Sequence, residues 1–357
     1  MILTVTANPA LDLTWEIDRI EIGGTHRADT GAVRAGGKGL NVARVAHAQG
    51  FDVRALTTCG GATGAELRDE LEASGMPHVL IPVTAPTRRS VAWVDRSLGD
   101  TTIVNERGVN PSVEEWSAFT AAVRGQAAAA SVLVISGSFP PCAPSRLLPE
   151  LIAAGAGRPV IVDTSGPALL TAADAGASVL KPNKAELAEA TGMADPIDGA
   201  RALIARGAGL VLLSLGAEGM YAVTADRVLR ARLPERLAGN PTGAGDAAVA
   251  AAATLLAEKV GAASDSASDL AADPAASGFD PEAILRRATA WSAAAVLMPL
   301  AGEIHPTWRD LQRALILDTV PGETSPPTRH ATAHEVSHAA DGVSPVPAAS
   351  HDPEEPA

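Results

Sequence analysis

The sequence predicts an α/β fold: a doubly wound, mostly parallel sheet flanked by helices, with a small second sheet projecting from it. Two observations lead there. Short apolar runs of strand length alternate along the 357-residue chain with stretches of helical period, as expected of strands buried on both faces and joined by crossover helices. Four further strand-like runs interrupt that alternation near the N-terminus, and an inserted sheet of this kind can cover a site at the C-terminal ends of the parallel strands.

Taken in order, ILTVTA at 2–7 is a first buried strand, and LDLTWEID at 11–18 with TGAVRA at 30–35 begin the inserted sheet. A helix follows at 38–49, then the strand VRALTT and a helix at 63–74. RRSVAWVD at 88–95 and TTIVNE at 101–106 complete the inserted sheet, so the lid strands come from about 10–36 and 86–107. A helix at 112–129 precedes SVLVIS; PVIVD, SVLK and LVLLSL follow with helices between them. VLLSLGAEGMYAV reads as a strand, a tight glycine turn and a second strand.

Composition bounds the class. A hydrophobic content of 46% supports a full core. Cys59 and Cys142 have no metal-ligand spacing and form no disulfide framework, which fits a reducing compartment. MILTVTANPALD lacks a basic leader and breaks at Asn8-Pro9, so neither a signal peptide nor a membrane span is expected, and a cytoplasmic protein is. Of the net charge of −13, segments 258–282 and 319–357 carry −10. The remaining body is near neutral and offers no basic face for nucleic acid.

Those two segments are also low in apolar residues. Residues from about 258 to 280 read as an acidic mobile insert between two helices, and 318–357 as a disordered tail, leaving a folded domain over 1–317. His330, His334 and His338 fall at helical spacing, but flanking prolines and the lack of an apolar face favour a solvated tail over a metal site.

Two glycine clusters carry chemistry. In AGGKGLNVAR, Gly36, Gly37, Lys38 and Gly39 open an amphipathic helix with Asn41 one turn in. Gly37 stands where a Walker A lysine belongs and no Ser or Thr follows Lys38, so a hydroxylated small molecule, with or without a phosphate, suits the cluster better than a triphosphate. In NPTGAGDAAVAAAA, the series Gly243, Ala244, Gly245 and Asp246 formally fits a dinucleotide fingerprint. No apolar strand precedes it, and an aspartate in the turn would repel a pyrophosphate. The alternative is an anion hole made by the N–H groups of Ala244, Gly245 and Asp246, with Asp246 as the general base for an attacking hydroxyl. Asn183 and Glu186, three apart in KPNKAEL, either cap a helix or face a hydrated Mg²⁺ beside phosphates.

The ordered set NPALD, GGKGLNVAR, KPNKAEL with SLGAEG, and NPTGAGD resembles the ribokinase-like (PfkB) sugar kinases over roughly residues 1–310. The lysine in GGKG, the TR pair at Thr87-Arg88 and the turn SGSFPP are most similar to its 1-phosphofructokinase and tagatose-6-phosphate kinase branch. The resemblance implies a ribokinase-like body with a β-sheet lid, and ATP- and Mg²⁺-dependent phosphorylation of a phosphorylated ketohexose, fructose 1-phosphate foremost. Tagatose 6-phosphate, fructose 6-phosphate, an unphosphorylated sugar or nucleoside, and a non-catalytic sensor stand as alternatives.

Carried over by position, Asp246 is the base and Gly243, Ala244 and Gly245 complete the anion hole. Asp12 and Asn41 grip sugar hydroxyls, beside Gly36, Gly37 and Ser138. Lys38 and Arg88, followed by Arg107 and Arg27, hold the phosphate the sugar already bears. Asn183, Lys184, Ser214, Gly216, Glu218 and Gly219 belong to the ATP side, with Glu186 and Asn183 reaching Mg²⁺ through water. A homodimer through the lid is the expected assembly.

Overall fold

In a computed structural model that describes residues 1–265 and 280–320, the chain opens with β1 (Ile2–Thr6), whose five residues are all buried. The lid strands β2 (Ala10–Ile17) and β3 (Ala32–Gly36) follow, then α1 (Lys38–Ala48), β4 (Val53–Cys59), α2 (Gly61–Ala73) and β5 (His78–Pro82). The chain returns to the lid for β6 (Arg88–Asp95) and β7 (Asp100–Asn105). Helix α3 (Val113–Ala127) starts with a capping box between Ser112 and Glu115. Beyond it come β8 (Val132–Ser136), α4 (Leu147–Ala154), β9 (Val160–Asp163), α5 (Pro167–Asp174) and β10 (Val179–Leu180). Helices α6 (Lys184–Thr191) and α7 (Pro196–Arg206) precede β11 (Leu210–Ser214), β12 (Met220–Val223) and β13 (Val228–Arg232). Helices α8 (Ala244–Asp265), α9 (Pro281–Val296) and α10 (Trp308–Ala314) lead to β14 (Ile316–Val320).

The main sheet has 10 strands in the order β14-β13-β12-β11-β10-β9-β8-β1-β4-β5. It is parallel from β5 to β11 and antiparallel from there to β14. Alternate residues of one strand enter opposite cores: Ile2, Val132, Val134 and Ile161 pack with α1 and α8, whereas Leu3, Leu133, Ile135 and Val162 pack with α3, α4 and α5. That two-sided burial is why these runs are apolar throughout. From β1 the chain winds out to β4 and β5, then restarts at β8 and winds the other way. The crevice at this reversal, between β1 and β8, is where an open α/β sheet accepts ligands.

The lid is a 4-stranded sheet in the order β3-β2-β6-β7. Its central pair β2–β6 is parallel, and its outer pairs are antiparallel.

Two boundaries differ from expectation. The acidic stretch placed in a loop from about 258 begins as helix, because α8 continues to Asp265. Glu258, Lys259 and the alanines after them are strong helix formers, and Glu258 pairs with Arg287 of α9 at 3.0 Å. Residues 266–279 lie outside the described residues. The folded unit also outruns Leu317, since β14 pairs with β13 as far as Val320. The tail from 321, with His330, His334 and His338, lies outside the described residues. Strands β5, β13 and β14 were not anticipated.

Candidate active site

A cavity of about 1130 Å³ opens at the reversal point. Its floor consists of residues at or just beyond the C-terminal ends of the parallel strands, among them Asn8, Ser138, Asp163, Lys181, Asn183 and Ser214. The start of α8 forms one wall, and lid residues including Asp12, Ser90, Arg88 and Arg107 face it. Thr289, Ser292, Ala293 and Val296 of α9 line another side.

Helix α8 is set against the cavity by its alanines. Residues Ala247 to Ala253 are fully buried around every face of the helix, which small side chains permit where α1 and α9 approach closely. Gly243, at φ 83°, makes the turn into it; a Cβ there would lie 2.8 Å from Ala301 Cα. Of the N–H groups expected to form the anion hole, that of Ala244 donates to Pro241 O at 3.2 Å. Those of Gly245 and Asp246 have no hydrogen-bond partner among the described residues. Two of the three N–H groups are therefore unpaired, and that of Ala244 is engaged.

Asp246 is 6% exposed, and its Oδ2 accepts from Asn41 Nδ2 at 2.8 Å. Burial, then the nearby Asp163 carboxylate, raises its pKa to about 7, against the pull of Lys38, Asn41 and Lys181. The carboxylate is thus held in place by Asn41, with its pKa raised to near neutrality. Asn41 is buried too, and its Oδ1 has no hydrogen-bond partner among the described residues.

Beneath Asp246 lies a charge network. Asp163 is fully buried; its Oδ1 is 3.2 Å from Lys38 Nζ and 3.6 Å from Lys181 Nζ, and its Oδ2 accepts from Ser136 Oγ at 3.3 Å. Burial opposes its charge, but the two lysines hold its pKa below the ordinary carboxylate value. Lys38 is also 3.5 Å from Glu186 Oε1. Burial disfavours its charge as well, and Asp163, Glu186 and Asp246 together raise its pKa above the usual lysine value. Lys38, expected with the lid arginines on the sugar's phosphate, is thus ion-paired on the floor. Lys181 reaches the other side of the helix start: a Cβ on Gly245 would sit 3.0 Å from its Nζ.

Asn183 and Glu186 form a reciprocal capping box at the start of α6, Glu186 N to Asn183 Oδ1 and Asn183 N to Glu186 Oε2, both 2.9 Å. The helix-cap reading is the one seen, while both side chains still line the cavity. Ser214, Gly216 and Gly219 line it as well, whereas Lys184 and Glu218 are exposed outside it.

In the lid, burial raises the pKa of Asp12 to about 6, opposed first by Arg88. Arg88 donates to Asn8 O at 3.3 Å and Glu106 O at 3.1 Å. Burial lowers its pKa, with Asp12 and Glu106 opposing. Gly37, at φ 110°, turns the chain into α1 and lines the cavity. Gly36 does not line it; its role is to make room, since a Cβ there would lie 1.9 Å from Asp12 Oδ2. Arg27 is exposed in the loop between β2 and β3 and does not reach the cavity.

Residues 6–308 match the pfkB family of carbohydrate kinases. The chain belongs to that family. It is a phosphotransferase acting on a sugar hydroxyl. It is 38% identical to a 1-phosphofructokinase of Haloferax volcanii over 253 residues, 69% of this chain and 81% of that protein. It is 34% identical to a 1-phosphofructokinase of Xanthomonas campestris pv. campestris over 332 residues, 89% of this chain and 98% of that one. Its fold is similar to that of Escherichia coli phosphofructokinase-2 in complex with fructose-6-phosphate, with a TM-score of 0.74 and 27% identity, covering 87% of this chain and 98% of that one. A ribokinase of Thermotoga maritima shares the fold with a TM-score of 0.64 at 21% identity, over 88% and 99% of the two chains. No helix among the described residues is long and apolar enough to cross a membrane.

Asp163, Lys181 and Asn8 also line the cavity of this kinase, though no motif assigned them a role. The signal was present for two of them: Asp163 and Lys181 are charges that end otherwise apolar runs, PVIVD and SVLK, where strands open into the crevice. Asn8 lay inside the NPALD motif, and its Nδ2 joins Arg107 O to Ser138 Oγ, tying lid to floor.

Proposed function

We propose that this kinase transfers the γ-phosphoryl group of ATP to a hydroxyl of a phosphorylated ketohexose, foremost fructose 1-phosphate, giving fructose 1,6-bisphosphate and ADP. The observation that carries this reading is the placement of Asp246. It is buried, oriented by Asn41, and adjoins unpartnered N–H groups in a cavity that also admits lid arginines. The names of the two 1-phosphofructokinase relatives support the substrate class.

In this reading Asp12 and Asn41 hold sugar hydroxyls while Arg88 and Arg107 face the phosphate the sugar carries. The acceptor oxygen attacks the γ-phosphorus as its proton passes to the Asp246 carboxylate; the bond to the β-phosphate oxygen breaks and ADP leaves. Charge developing on the transferring group is met by the N–H groups of Gly245 and Asp246 and by Lys38. The ATP phosphates lie toward Asn183, Ser214 and Gly216, and the base toward α9.

Mg²⁺ fits beside Asn183 and Glu186. Their capping bonds leave carboxylate and amide lone pairs for metal-bound water, in keeping with an ion that retains several waters. When bound it would neutralise phosphate charge. A homodimer through the lid accords with the apolar groups exposed on one face of the lid, Trp93 and Val104.

The reading is tested with purified protein, ATP-Mg²⁺ and a panel of fructose 1-phosphate, fructose 6-phosphate, tagatose 6-phosphate and free hexoses. Highest kcat/KM with fructose 1-phosphate is expected. Equal use of the free hexoses would reject the substrate class, and ATP turnover with none of them would reject the kinase assignment.

A further inference from the structure

The lid touches the body at a place that neither the motifs nor the relatives' names single out. Arg34, on β3, crosses to the turn that follows α9: its Nη1 donates to Ala301 O at 2.7 Å and its Nη2 meets Glu303 Oε1 at 2.6 Å. Both groups are partly shielded, with side-chain exposures of 22% and 34%. One guanidinium thus grips a carbonyl and a carboxylate two residues apart, a geometry that a lysine cannot reproduce.

The same turn also supports the start of α8. Ala301 lies against Gly243 so closely that any side chain there would collide with it. Asn240, in the loop leading to Gly243, donates from its backbone to Val296 O at 2.9 Å and from its side chain to Pro299 O at 3.0 Å. On its far side, Gly302 at φ 86° packs on Arg44 and lies near the free Oδ1 of Asn41. The neighbouring lid residue is fixed as well: Ala35 N donates to Glu70 Oε2 at 3.1 Å, and Arg44 pairs with that same carboxylate at 2.8 Å. The lid strand, the turn and the loop before α8 are therefore one continuous set of contacts.

We propose that Arg34 and Glu303 are positioning residues that couple the lid to the anion hole through the turn at 299–303. With the pair intact, the seating of β3 fixes Ala301 over Gly243 and so aims the Gly245 and Asp246 N–H groups and the Asp246 carboxylate. The inference rests on the kinase reading for its catalytic consequence and on geometry alone for the coupling, so two readouts separate them.

The variants are R34A, R34K, E303Q and R34A/E303Q in the full chain, each checked for an unchanged melting temperature. In steady-state assays with ATP and fructose 1-phosphate, R34A and E303Q should each lower kcat about tenfold with KM for ATP held within about twofold, as small misplacements of reacting groups do. R34K should fall between, and the double variant should be no worse than R34A, since the pair acts as a unit. In substrate-free protein, amide exchange at Ala244 and Ala247 should quicken about threefold or more in R34A.

Multiplicative losses in the double variant would overturn the proposal, as would unchanged exchange. A rise confined to KM for the sugar phosphate in R34A, with E303Q silent, would also overturn it, because Arg34 would then be acting through Asp12, which it faces across the β2–β3 pair. If the wild type turns over no hexose phosphate, the functional reading fails while the exchange measurement still decides the coupling.

Discussion

The floor of the cavity and its lid are built on opposite principles. On the floor, the charges answer one another: buried Asp163 lies between two lysines, half-buried Lys38 between two carboxylates, and buried Asp246 against an amide. In the lid, Arg88 rests on backbone carbonyls, and Arg107 is exposed with no ion-pair partner among the described residues. A prebuilt floor suits chemistry, which gains from dipoles that need no reorganisation. Lid cations without a committed carboxylate suit recognition, because the ligand's own phosphate can complete them.

The largest expected effect lies on the floor. Asp246→Asn keeps the shape of the side chain but not its basicity, and kcat should fall ~10²- to 10⁴-fold while nucleotide and sugar phosphate still bind. Single-turnover rates within a few-fold of wild type would remove Asp246 from the mechanism.

The next effect is in the lid. Arg88→Ala should lower kcat/KM for the phosphorylated sugar by roughly 10- to 150-fold, corresponding to a charge-assisted contact of ~1.5–3 kcal/mol. The free sugar should be much less affected. Equal losses on both would mean that Arg88 shapes the lid without reading phosphate.

A pH dependence sharpens the comparison further. With Asp246 near 7 in the free protein, log kcat/KM should fall with a slope of about one below that pH, and the slope should vanish in the asparagine variant. Stability follows the opposite sign. A carboxyl whose folded pKa lies above its unfolded value favours the folded state below the unfolded pKa and loses that contribution as pH rises from about 4 to 7. Asp246→Asn should therefore raise Tm at pH 8 and do so less at pH 5, as scanning calorimetry at the two pH values would show.

The smallest effect tests the edge of the body sheet. Ending the chain after Val320 should leave Tm unaltered. Ending it after Leu317 removes three β14 residues paired with Val228, Leu229 and Arg230, together with the Arg232–Asp318 ion pair. That should cost about 2 °C or more. Identical melting curves would show that β14 adds nothing past Leu317.

What the sequence revealed divides along the same line. The parallel strands were legible because burial on both faces leaves runs such as SVLVIS and LVLLSL, and the turn into α8 because glycines beside an aspartate mark a helix start. The ion pairs of Lys38 were not legible: its partners Asp163 and Glu186 lie 125 and 148 positions along the chain and meet it only in the folded sheet. Arg27 sits in a long connection without period, where spacing says nothing of direction. Strands β13 and β14 are short and partly polar, and they owe their form to pairing with each other. The turn at 299–303 carries no motif, and its importance appears only once Arg34 reaches it.

The separation of chemistry from selection is tested most directly by one ratio, kcat/KM for fructose 1-phosphate over that for fructose, measured in Asp246→Asn and Arg88→Ala beside the wild type. The account predicts that Asp246→Asn lowers both rates and leaves the ratio within about twofold, whereas Arg88→Ala lowers the ratio about tenfold or more. A ratio that shifts in Asp246→Asn and holds in Arg88→Ala would contradict it.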